Sequence, residues 1–169
     1  MHDHPGRGWT VFGLLRRRAS ASRLPAEVRD GLDPGEVIVM AEGVRVVVRL
    51  RGHVPGVYAA SNVARFRGAF VLTSTGVIAT LPTLSSPDLR AVDARWDSPG
   101  GPAHLTVGAT GVRVDVALRG VDPAFSGSMT MTYGSDIADE QLRRLPATEL
   151  RCRIDSEVVY RAAGVRPKR

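Results

Sequence analysis

The chain of 169 residues holds one cysteine, Cys152, so it can form no internal disulfide. That fits a reducing compartment, and the expected location is the cytoplasm. No apolar run approaches the roughly 20 residues that a membrane-spanning helix needs. The first residues also lack the charged start, apolar stretch and small-residue cleavage site of a secretory leader. Aromatics make up 5% of the chain and do not interleave with basic residues, which argues against a nucleic-acid platform. Lysine is nearly missing: Lys168 stands alone, and every other base is arginine. We read that ratio as the codon bias of a GC-rich, bacterial genome rather than as selection for phosphate contacts.

The motifs of common chemistries are missing as well. His2, His4, His53 and His104 offer no ligand spacing beyond the terminal His2-Asp3-His4, and there is no cysteine pair, so neither a metal site nor a cofactor is expected. Ser126-Gly127-Ser128 lies in a turn and not in a Gly-x-Ser-x-Gly elbow. Gly100-Gly101 has no following helix to cradle a phosphate. Asp93 and Asp97 flank Trp96 and read as a solvated strand edge rather than a hydrolytic pair. Cys152 alternates with Arg151 and Arg153, which marks it as a small buried hydrophobe. No catalytic residue is expected, and the protein is expected not to be an enzyme.

What is present is β texture. The hydrophobic fraction of 43% suits one domain with a real core. Residues 1–23 read as a flexible arm, 24–160 as a single β-rich domain and 161–169 as a basic tail. Leu24–Leu32 has the marks of a brief helix. Strands are expected over Glu36–Ala41 and Val44–Leu50, broken at Glu42-Gly43, and then an irregular connection over Gly52–Ala64. A hairpin follows over Phe66–Ala79, turning at Thr73-Ser74-Thr75-Gly76, and ends near Leu81-Pro82. Leu89–Asp97 gives a further strand, and Ser98–Pro102 a loop. His104–Val107 and Val112–Leu118 flank a second hairpin turn. Met129, Met131 and Tyr133 mark another strand. A helix capped by Asp136 runs to Leu145 and is stopped by Pro146. Leu150, Cys152 and Ile154 mark a last strand. The fold class is therefore mainly β, an antiparallel sandwich or partly open barrel with one helix near the C-terminal end.

Two stretches carry a resemblance. Leu32-Asp33-Pro34-Gly35-Glu36-Val37-Ile38 resembles the "proline-glycine-glutamate, then apolar strand" opening of bacterial PH-like and GRAM-like domains. Gly68-Ala69-Phe70-Val71-Leu72-Thr73 followed by Gly76-Val77-Ile78 is similar to their hairpin. The likeness spans residues 32–81, and residues 103–146 share it by layout alone. It implies a PH-like architecture and a binding or scaffolding module for lipid headgroups, peptides or proteins. The first hairpin loop of lipid-binding members is basic. Here the corresponding Glu42-Gly43 is short and acidic, so no lipid-site residue carries over.

The net charge of +6 and pI near 10.6 direct attention to arginine. The excess sits mainly toward the chain ends, but Arg45, Arg49 and Arg51 with Arg65 and Arg67 fall at positions where they can line one sheet face or rim. Such a face is a candidate site for an anionic ligand. Trp9, Phe12 and Leu15 with Arg16, Arg17 and Arg18 form a second candidate, an apolar-basic segment that either meets a membrane interface or packs on the domain. The expected function is a non-catalytic binding or scaffolding module with a protein partner or an anionic membrane surface. The alternative is a small β-barrel holding an apolar or anionic small molecule in its interior.

Overall fold

The computed structural model describes residues 22–82 and 90–165. Among the described residues eight strands form one antiparallel sheet in the order β4-β3-β2-β1-β7-β6-β5-β8, coiled into a nearly closed barrel. Trp9, Phe12, Leu15, Arg16, Arg17 and Arg18 lie outside the described residues.

The largest element is a single hairpin of β1 (Val37–Val54) and β2 (Val57–Thr73). It corrects the sequence reading twice. The expected break at Glu42-Gly43 is a bulge inside one strand, where Gly43 takes a φ of +66°. The expected irregular connection over Gly52–Ala64 is the far half of the same hairpin. Its period of two fails because Leu50 pairs with Asn62 while Gly52 pairs with Ala59, which leaves one extra residue on β2. The actual turn is Pro55-Gly56, with Gly56 at φ +101°, the residue order of a type II turn.

β3 (Gly76–Thr80) closes the hairpin expected from the sequence. The Thr73 hydroxyl accepts from the Thr75 and Gly76 backbone N–H groups at 3.2 and 3.0 Å and fixes the turn. β4 (Val92–Arg95) pairs with β3. The second expected hairpin is β5 (Ala103–Gly108) and β6 (Gly111–Ala117). β7 (Ser126–Gly134) joins β6 to β1, and β8 (Glu149–Cys152) joins β5. Pairing between β2 and β3 stops at Ala69 and Thr80, because Leu81 turns into the core and Pro82 has no N–H for a ladder. From Asn62 to Gly68, β2 is thus bonded on one side alone among the described residues.

The helices are short: α1 (Ala26–Asp30), α2 (Leu118–Val121), α3 (Asp139–Arg144) and α4 (Ser156–Ala162). The helix read from Asp136 starts later, and its cap is Ala138, whose N–H is held by the Gln141 side chain at 3.0 Å. The helix that closes the fold is α4. The Asp155 carboxylate accepts from the Glu157 N–H at 2.8 Å, and Val158, Val159 and Ala162 are buried. Tyr160 of α4 meets Phe125 edge-on at 5.1 Å between ring centres.

The barrel interior is filled by side chains from all round the sheet, among them Leu50, Phe70, Leu105, Met129, Met131 and Tyr133. Phe70 meets Tyr133 edge-on at 6.2 Å, and the Tyr133 hydroxyl donates to the Thr80 carbonyl at 3.1 Å. Burial without a charged partner pushes that hydroxyl well above the ordinary tyrosine range. A smaller cluster lies outside the barrel, where Leu24 and Val28 cover Ala69 and Val71 of β2.

Candidate functional site

β1 alternates strictly beyond its bulge. Val44, Val46, Val48 and Leu50 are buried, whereas Arg45, Arg49 and Arg51 are exposed. On β2, Arg65 and Arg67 are exposed on either side of the half-buried Phe66. The register then brings the two sets together. Arg45 stands directly opposite Arg67, Val47 opposite Arg65 and Arg49 opposite Val63. Directly opposed residues share a face, so all five arginines named from the sequence lie on the outer face of one hairpin.

Little neutralises them. Among the described residues Arg45, Arg49, Arg51 and Arg65 form no ion pair, and Arg67 donates to the Gly43 carbonyl at 2.8 Å. The neighbouring strand β7 presents Thr132, Thr130 and Ser128 to Val47, Arg49 and Arg51. One row further, Asp115 is already taken: Arg113 donates to it through Nε at 2.9 Å and Nη2 at 3.0 Å, and the Thr130 hydroxyl donates at 2.9 Å. Those bonds hold the Asp115 carboxyl below the usual range, the Arg113 bond contributing most.

The sequence reading missed the end of this face. His53 and Tyr58 sit opposite each other beside the turn, and Tyr58 is 81% exposed. His53 is a strand residue rather than the expected loop residue. The Pro55-Gly56 pair was the available signal, since a proline followed by glycine between two β-rich stretches marks a hairpin turn.

Other candidates resolve differently. Asp93 is paired with Arg90 at 2.5 Å, and Asp97 with Arg95 at 3.0 Å, so each carboxylate has its own arginine. Among the described residues no group of three or more His, Cys, Asp or Glu side chains could hold a metal ion. No described helix is long and apolar enough to cross a membrane. An open groove of about 910 Å³ runs between α1 and β1, lined by Arg29, Leu32, Val37, Met40 and Glu42. Arg29 and Arg23 both pair with Glu42 there, which sets α1 against the bulge.

Cys152 is 1% exposed, and burial pushes its thiol up to about 11. The folded protein is therefore expected to resist Ellman's reagent at pH 8 and to react fully within minutes in denaturing urea. Rapid labelling of the folded chain would show the assignment of an inert thiol to be wrong.

No protein-family model, curated protein or solved structure matches this chain.

Proposed function

We propose that the protein is a non-catalytic binding module that presents the arginine face of the β1–β2 hairpin to an anionic partner. One observation carries this reading. Arg45 and Arg67 oppose each other across a ladder, with Arg65 one row and Arg49 two rows along the same face and no acid among the described residues paired to any of them. Like charges directly opposed destabilise a sheet, and a fold that keeps them pays for a use elsewhere. Large side chains in the barrel interior support a ligand on the outside. The exposed aromatic Tyr58 lies at the hairpin tip rather than among the arginines, which points to acidic side chains or headgroups before bases.

The PH-like or GRAM-like likeness is part of this proposal. Three features support it: the Phe66–Ala79 hairpin, the meander β1 to β4, and a chain that goes on past β8 into the closing helix α4. A cytoplasmic location accords with the lone reduced cysteine.

The test is titration of the protein with polyglutamate and with phosphatidylserine vesicles. The native chain is expected to bind at least one of them, more weakly as salt rises. The triple variant Arg45→Glu, Arg65→Glu, Arg67→Glu, with an unchanged unfolding midpoint, is expected to bind at least about tenfold more weakly, as loss of several charge-assisted contacts requires. Undiminished binding by the triple variant, or no binding by the native chain, would overturn the reading.

A further inference from the structure

The outer arginines lie beside a second feature, the one-sided stretch of β2. From Asn62 to Gly68 the strand pairs with β1, while its other edge meets no strand among the described residues. Its backbone hydrogen bonds among them go to β1. In an antiparallel pair, alternate residues turn both N–H and C=O away from the partner, so among the described residues this edge carries donors and acceptors in register that no strand meets. Natural edges of this length are usually covered, bulged or shortened, and a free one is a template for another strand.

Resting on the proposed arginine-face reading, we propose that this edge takes up an extended acidic segment of a partner protein as an added strand. The chemistry of the occupant follows from the two faces. A strand laid beside β2 places every second side chain on the outer face, next to Arg65 and Arg67 and within one further strand of Arg45. Acidic residues suit those positions. The intervening side chains point to the inner side, beside Ala64 and the half-buried Phe66, and small or apolar residues suit them. The partner segment thus alternates acidic and apolar residues. Six residues cover Asn62–Arg67, a span of about 20 Å at 3.4 Å per residue. Ladder hydrogen bonds supply affinity that does not depend on sequence, and the arginines set which sequence fits.

The experiment uses the full chain and three probes. The first is a fluorescent ten-residue peptide of alternating Glu and Val. The second is the same peptide N-methylated at four consecutive central residues, which keeps its charge and removes ladder donors from both of its edges. The third is phosphatidylserine vesicles. The plain peptide is expected to bind at least tenfold more tightly than the methylated one. It is also expected to slow exchange of the edge-facing amides within Asn62–Arg67 at least tenfold, while Arg65→Glu with Arg67→Glu removes both effects. Equal binding of the two peptides, lost in the same variant, would overturn strand addition and leave the arginine-face reading standing. Binding to vesicles without binding to either peptide would overturn strand addition in favour of a lipid surface. If neither peptide nor vesicles bind, both readings fall.

Discussion

Phe70→Ala is expected to cost about 3–5 kcal/mol of unfolding free energy, the range for removing a fully buried phenylalanine ring. The ring is 0% exposed at the centre of the barrel, and its edge-on partner is Tyr133. Its loss removes the dispersion contacts of the ring and leaves a cavity whose walls belong to several strands, so they cannot all move in together. Tyr133 would lose the neighbour that steadies the hydroxyl bond to the Thr80 carbonyl. A domain of this size holds about 5–15 kcal/mol in all, so the variant should be close to the edge of folding. Urea titration is the measurement, read at constant m. A midpoint shift worth less than about 1 kcal/mol would show that the barrel collapses around the gap more readily than these contacts imply.

The second large effect belongs to a backbone crossing. Gly52 of β1 pairs with Gly127 of β7, and both take positive φ, +139° and +87°. A Cβ at Gly52 would sit 2.1 Å from the Ser126 carbonyl oxygen, and one at Gly127 would sit 2.0 Å from that of Arg51. No side chain can swing aside, because the obstacles are backbone. Gly52→Ala therefore combines left-handed strain of about 1–2 kcal/mol with overpacking of about 1–3 kcal/mol. A total near 3 kcal/mol is expected. Gly134→Ala is the internal control: its added methyl would meet the Arg45 carbonyl at 3.7 Å, an ordinary contact. It should stay within about 1 kcal/mol of the native chain. If the two variants unfold at the same urea concentration, the β1 and β7 backbones yield to an added methyl at Gly52 more readily than a 2.1 Å approach allows.

Strands were legible wherever the period of two ran unbroken. Val112, Val114 and Val116 of β6 and Leu150 and Cys152 of β8 alternate in the sequence and are buried in the barrel. The β1–β2 hairpin was half hidden, because a bulge at Gly43 and an extra β2 residue opposite Leu50–Gly52 shift the pattern by one, and a one-residue shift exchanges faces. α4 was hidden by composition. Val158 and Val159 are β-branched and favour strands, and burial against the barrel together with the Asp155 cap overrides that preference. The arginine face was legible strand by strand from Arg45, Arg49 and Arg51. That Arg67 stands opposite Arg45 required the register. The stretch of β2 that pairs on one side alone among the described residues had no sequence signal of its own, since it depends on where β3 stops.

The order of synthesis gives the β1–β7 pairing a further consequence. β1 to β4 leave the ribosome well before Ser126–Gly134, so the β7 side of β1 waits uncovered while half the chain is still unmade. During that interval Val44–Leu50 is an apolar, β-branched segment with an open ladder, the kind of stretch through which nascent chains associate. Arg45 and Arg49 interrupt it, Arg51 follows directly, and all three repel a second copy of the same segment. The charges on the outer face of the finished hairpin would, in the unfinished chain, keep neighbouring polysomal chains apart.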